Sequence, residues 1–358
     1  MRLTIHKIIL FLAFGILLSS CDEKFNVAAP YKDIIVVNGY LNIADTAHYI
    51  RIEKGFLDQN KSALDMAKVA DSNYYNSLQV VMKVIDPTSQ YVVNTITLHR
   101  VDLALEGYTK DTGTFFTNPN YAYKFTNAIN ASYNYRLVIT HLNNGEVDSS
   151  LVHIVDTSGY VFPAYQLVNS TIQFYSSNVN GKYDLSGTGP TNAAYYEGVM
   201  RVYWIDSNIS TLEGTLRYAD WKFASAAPQS VGSIDLQVAN NAFFLFVRDN
   251  MGNAPNNIQR YLEGVDIMVY GGSQEYYDYI GFAANIGTGI TGMDVEPVYT
   301  NIISNKQNFA YGLLASRSVK VVPNLDFHAQ TKAYMDTSSY IQNLFSGTGF
   351  TGKFAHRP

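Results

Sequence analysis

The stretch that most restricts the fold is a hairpin near the middle of the chain. Tyr133-Asn134-Tyr135-Arg136-Leu137-Val138-Ile139-Thr140 is followed by Asn143-Asn144-Gly145 and then by a second run from Glu146 to Val155. Asn-Gly between two strand-like runs supplies the positive φ that a tight antiparallel turn needs. The same texture recurs on both sides of it. Ile34 to Leu41 is a β-branched run broken by Asn38-Gly39. From His48 to Lys54, Tyr49 and Arg51 fall on one face and Ile50 and Ile52 on the other, as in a strand with one buried side. Leu78 to Ile85 reads as a strand stopped by Asp86-Pro87, and Tyr121 to Thr126 as another. From Lys61 to Ser77 no period is clean, which fits a short helix or an ordered loop. Strands with Gly, Asn and Pro punctuation and no alternating helices predict a mainly β chain of antiparallel, sandwich-like domains.

The expected organisation has four parts. Residues 1–20 form a leader, 21–33 a tether, 34–157 an immunoglobulin- or transthyretin-like sandwich, and 160–358 a second β-rich domain with one or two short helices. In the second domain, Ile172 to Tyr175, Gly198 to Ile205, Ala242 to Arg248 and Val265 to Tyr270 read as strands. Asn178 to Thr191, with Gly181, Gly187, Gly189 and Pro190, reads as a loop, as does Asp249 to Asn257. Ser273 precedes a helical spacing of Ile280, Ala283 and Ala284, which predicts a helix there, with Glu275 against its positive end. A further short helix is expected from Ser339 to Phe345.

The leader decides the address. Arg2 and Lys7 precede an apolar run from Ile8 to Leu18, which is shorter than the roughly 20 residues of a membrane span. It ends in Leu18-Ser19-Ser20-Cys21, where Cys21 is the one cysteine of the chain. That arrangement resembles a bacterial lipobox, which implies lipidation of Cys21 and attachment to a membrane through the lipid. Asp22-Glu23-Lys24 resembles the acidic export signal that carries Bacteroidota lipoproteins to the outer face of the outer membrane. With Cys21 lipidated, no disulfide remains available within one chain. A formal net charge of −5 argues against nucleic acid as a partner.

The lipobox with its acidic sequel is joined by two further stretches. One is Ile35-Val36-Val37-Asn38-Gly39-Tyr40-Leu41 with Tyr49-Ile50-Arg51-Ile52. The other is the serine-led, tyrosine-rich helix of 273–284, followed by Glu296-Pro297-Val298-Tyr299-Thr300-Asn301-Ile302 and Phe309-Ala310-Tyr311-Gly312. Together they resemble an uncharacterised family of Bacteroidota outer-membrane lipoproteins, a domain of unknown function commonly encoded beside TonB-dependent receptors. The resemblance spans most of the chain and implies a place and a neighbourhood rather than a reaction.

Chemical motifs are few. Gly287-Thr288-Gly289-Ile290-Thr291-Gly292 matches the dinucleotide glycine spacing but lacks the preceding strand and following helix that the site needs, so a turn is expected and no cofactor. The histidines show no close metal-ligand spacing; His141 and His153 flank the hairpin and could face each other across it. Among the tyrosine pairs Tyr74-Tyr75, Tyr195-Tyr196 and Tyr276-Tyr277, packing is the default. Tyr195 and Tyr196 are the candidate ligand or partner platform, because they follow the glycine-rich stretch. Asp45-Thr46-Ala47 fits a short Bacteroidota O-glycosylation pattern, with Thr46 as acceptor. The expected function is a non-enzymatic binding or accessory module of a TonB-dependent uptake complex, taking a glycan or peptide ligand, with lipid-anchored, surface-exposed placement on the outer membrane. The alternatives are a structural or adhesive envelope protein and, third, an exported hydrolase, for which no nucleophile, metal or oxyanion constellation stands out.

Overall fold

In the computed structural model, the described residues are 34–55, 62–162, 171–252, 254–286, 299–306 and 309–338. Strand makes up about 50% and helix 16%, so the fold is mainly β and sandwich-like, as the hairpin texture predicts. The first part contains β1 (Ile34–Leu41), β2 (His48–Gly55), the short helices α1 (Ala63–Ala67) and α2 (Ala70–Asn73), β3 (Leu78–Ile85), β4 (Val92–Thr97), β5 (His99–Asp102), β6 (Tyr121–Phe125), β7 (Asn134–His141) and β8 (Val147–His153). The second contains β9 (Thr171–Ile172), β10 (Lys182–Thr188), β11 (Tyr195–Asn208), β12 (Gly214–Ala226), β13 (Ser233–Ala239), α3 (Asn240–Met251), β14 (Ile258–Gly272), α4 (Gln274–Ile286), β15 (Ile303–Ser304), β16 (Phe309–Phe327) and α5 (Ala329–Thr337).

One large sheet runs through both parts in the order β12-β11-β14-β16-β1-β2-β6-β5, with β9 also on β16. The 19-residue strand β16 joins them. Its first half pairs in parallel with β1, Ile34 to Phe309 through Leu41 to Ser316, and its second half runs antiparallel to β14. Gly312 sits at the tightest point, with φ +119° and room for no Cβ, which would lie 1.8 Å from the Val37 carbonyl oxygen. Only glycine fits that backbone and that approach.

Two hydrophobic cores form on this frame. In the first, Ile35, Val37, Ile50 and Ile52 of the large sheet face Val80, Met82, Leu137, Ile139 and Val152 of the sheet ordered β15-β8-β7-β3-β4, and Leu314 of β16 joins them. In the second, Met200, Val202, Val265, Ile267 and Val269 meet α3 and the β10–β13 ribbon. Phe174 stacks on Phe243 there, with ring centroids 4.3 Å apart.

The hairpin of β7 and β8 forms as its sequence predicts, with Gly145 at φ 68° in the turn. Four expectations are corrected. The run Ala242 to Arg248 is helix α3, because Phe243, Phe244, Val247 and Met251 bury one stripe at helical spacing. Within 178–191, residues 182–188 form strand β10, with Tyr183 and Leu185 alternating inward. Its Gly187 marks a close approach, since a Cβ there would lie 2.5 Å from the Val161 carbonyl oxygen, rather than a loop. Of Ile172 to Tyr175, only Ile172 is strand, in the two-residue β9 with Thr171. His141 and His153 lie at opposite ends of the hairpin, since His153 is in register with Asn134. They pair elsewhere, His141 with Asp148 at 2.8 Å and His153 with Glu275 at 2.9 Å. Helix α4 stands where expected. The second expected helix, 339–345, lies outside the described residues, and α5 forms just before it.

Candidate ligand cleft

A broad concave surface lies on the outer face of β2, whose inner face closes the first core. Strand alternation puts Tyr49 and Arg51 outward, as their sequence pattern predicts, while Ile50 and Ile52 are buried. Three short pieces surround them. The turn before β2 is held by the Asn42 side chain, which accepts the Ala44 amide at 3.1 Å and donates to Asp45 at 3.1 Å. A single 3₁₀ turn, Leu103–Glu106, is capped by Asp102 Oδ1, which accepts the Ala104 amide at 3.1 Å. It stops at Gly107, φ 91°, which turns the chain so that Tyr108 stands over the opening. The open cleft has a volume of about 630 Å³, within the range of small-molecule sites, and its lining includes Asp45 and Thr46.

Two part-buried linkages fix its walls. Asn120, 2% exposed, accepts from Arg51 Nη2 at 2.8 Å and donates to the Tyr108 carbonyl at 2.9 Å. Its own amide donates to Asp102 Oδ1 at 3.0 Å. One side chain therefore ties the β2 wall to the loop wall. On the other side, the Tyr49 hydroxyl donates to Glu106 Oε2 at 2.6 Å, and Lys124, directly across from Tyr49 in register, donates to the same oxygen at 2.5 Å. Hydrogen bonds from Lys124 and Tyr49 hold the Glu106 carboxyl below its ordinary value, and the Glu106 bond raises Lys124 in turn. Tyr108 meets Tyr49 edge-on at 5.7 Å and is itself 58% exposed. A rigid floor carrying one guanidinium, with an exposed ring beside it, can bind without rearranging.

The other sequence-derived candidates fare differently. Tyr195 and Tyr196 are 6% and 1% exposed, so neither offers a ring face as a platform. The Tyr196 hydroxyl donates to the Pro190 carbonyl at 2.9 Å, and Tyr195 packs under Tyr276 and Tyr277 of α4. Adjacent residues of β11 face opposite sides of the sheet, Tyr196 into the second core and Tyr195 under α4, so neither side of the pair is free. The exposed tyrosines nearby are Tyr40, Tyr277 and Tyr279, and Tyr40 meets Tyr276 edge-on at 5.8 Å. Tyr74 and Tyr75 are buried. Thr46 is exposed at the cleft rim. Cys21, Asp22, Glu23, Lys24 and the 287–292 glycine stretch lie outside the described residues. Among the described residues, no cluster of three His, Cys, Asp or Glu side chains is placed to hold a metal ion. A second, smaller cleft of about 350 Å³ lies where the two cores meet, between Ser132, Asp156 and Asn192. Its carboxylate, Asp156, is already taken up by the amides of Thr157 and Ser158.

Sequence reading missed Asn120 and Tyr108. Asn120 reaches Arg51 across 69 positions of sequence, and only the β2–β6 pairing brings them together.

No protein-family model matches the chain, and no curated protein does. Among solved structures, it is similar to the C-terminal globular domain of an oligosaccharyltransferase from Pyrococcus abyssi, at 8% identity and a TM-score of 0.26 over 72% of this chain. The chain spans about half (54%) of that structure. The calcium-binding domain CBD12 of CALX1.1 aligns at 8% identity and a TM-score of 0.17, over 79% of this chain and 98% of that one. Scores this low define no shared fold.

Proposed function

We propose that this protein is a lipid-anchored, non-enzymatic binding module of the outer membrane that works beside a TonB-dependent receptor. The observation that carries the reading is the preformed cleft on β2, whose floor is cross-braced by Asn120 and whose open side presents Tyr108 and Arg51. A lipid on Cys21 would hold that cleft near the membrane at the end of the 21–33 tether. The acidic Asp22-Glu23-Lys24 stretch favours the outer face, and the resemblance to receptor-linked lipoproteins supplies the partner. The test is a mild-detergent pull-down of the tagged, lipidated protein from its native membrane, read by mass spectrometry. A TonB-dependent receptor recovered in stoichiometric amount supports the reading, and a clean monomer overturns the obligate complex.

A structural or adhesive role is the second reading. It rests on the exposed tyrosines Tyr40, Tyr277 and Tyr279 around α4, since flat amphipathic rings suit a protein interface. Recovery of envelope-assembly proteins in place of a receptor would favour it.

A further inference from the structure

We propose that the β2 cleft takes a neutral saccharide, through stacking on Tyr108 and hydrogen bonds to Arg51 and Asp45. The inference rests on the binding-module reading and names the ligand class of that same cleft.

Charge comes first. Among the described residues lining the cleft, Arg51 is the one cation and Asp45 the one anion, so that lining carries no net charge. Arg51 is further matched by Glu53 at 3.4 Å, and Lys124, behind the wall, is matched by Glu106. A phosphate or carboxylate ligand would therefore find Arg51 already paired and would meet Asp45 at the rim, while Lys110, just past Thr109, is held by the Tyr74 hydroxyl and the Phe116 ring. The polar inventory suits a polyol. Arg51 spends two nitrogens on Asn120 and Glu53 and keeps further N–H donors in its planar fork. Asp45 has an acceptor oxygen beyond the one taken by Asn42, and Thr46 and Thr109 add hydroxyls that both donate and accept. Sugar hydroxyls need such a mixture of partners, because each is donor and acceptor at once.

Shape comes next. Tyr108 is 58% exposed, a large ring left facing the opening rather than the core. The C–H face of a pyranose covers such a ring while its hydroxyls reach outward to the polar rim. Because Tyr49 and Arg51 are already locked by Glu106 and Asn120, the sugar would meet a floor whose ordering cost has been met in folding.

The same chemistry has two possible sources: a saccharide from solution, or one attached to Thr46, whose hydroxyl lies on the rim. The experiment separates them. The full chain, purified from its native membrane in mild detergent, and its Thr46→Ala variant are titrated calorimetrically with neutral glucan, xylan and mannan oligosaccharides. Oligogalacturonates and acidic peptides serve as comparators, and intact mass is recorded for each protein. Binding of a neutral oligosaccharide by the natural chain, weakened about tenfold or more in Tyr108→Ala at unchanged Tm, supports a sugar from solution. Binding by Thr46→Ala alone, with a hexose-scale mass increase on the natural chain, supports a sugar carried by Thr46. No neutral binding by either protein, a preference for the acidic comparators, or binding indifferent to Tyr108→Ala overturns the proposal. A recovered receptor in the pull-down with no sugar bound here would sink the ligand class and leave the accessory role standing.

Discussion

Replacing Asn120 by alanine removes the brace between the two walls of the cleft, and the structure sets the size of the effect. Two side-chain hydrogen bonds disappear, one to the Arg51 guanidinium at 2.8 Å and one to the Tyr108 carbonyl at 2.9 Å. A bond to a charged group contributes about 1.5–3 kcal/mol, and one to a neutral carbonyl about 0.5–1.5. The Arg51 side chain is 31% exposed, so water can replace part of the first contribution. The expected loss is therefore about 2 kcal/mol, in the first core's unfolding. Urea titration followed by far-UV circular dichroism reads it as a lower midpoint at unchanged slope. Asn120→Asp keeps the acceptor for Arg51 but loses the donor to Tyr108. It also sets a second carboxylate beside Asp102, whose Oδ1 accepts the residue 120 amide. It should lose stability too, and more at neutral than at acid pH. If both variants unfold within about 0.5 kcal/mol of the natural protein, Asn120 is not the brace.

Three further outcomes follow from the packing and the ion pairs. Phe243→Ala, which removes a fully buried ring stacked on Phe174, should cost about 3–5 kcal/mol by chemical denaturation. Gly312→Ala should cost about 4 kcal/mol or more, because its Cβ would strike the Val37 carbonyl and part β1 from β16; lost hydrogen-exchange protection in β1 is the readout. The His153 pair gives stability a pH dependence. The hydrogen bond that His153 donates to Glu275 raises the His153 value, so its contribution is full below the ordinary value of about 6.5 and is lost as pH rises through the higher folded value. Burial pushes Glu275 up, but its bonds to His153 and Ser273 outweigh that and lower it, so its contribution is lost as pH falls through the depressed value. Melting temperature against pH should show a small step above pH 6.5 that His153→Gln abolishes.

The part of the structure legible in sequence is the part governed by local alternation. The period-2 pattern of His48 to Lys54 placed Ile50 and Ile52 inward and half of the cleft floor, Tyr49 and Arg51, outward. Asn144-Gly145 gave the hairpin, because positive φ is a local demand. Ala242 to Arg248 was not legible, since a run of six apolar residues fits a buried strand as well as a helix, and tertiary packing decided. Of the glycines read as loop residues, Gly187 lies in β10 and serves a close approach to Val161, while Gly189, just past the strand, serves one to the Tyr196 ring. The other half of the cleft depends on contacts such as Arg51 to Asn120, which no local pattern encodes. Tyr195 and Tyr196 looked like a platform only because nothing local reveals that the second core covers one face of β11 there and α4 the other.

The measurement that bears most directly on the cleft is hydrogen–deuterium exchange on the full chain in mild detergent, with and without a bound neutral oligosaccharide. Slowed exchange confined to segments 42–53 and 102–121 is the predicted result, because those pieces form the floor, turn and loop walls around Arg51 and Tyr108. Protection centred on α4 and Tyr277, or none in the cleft segments, would contradict it.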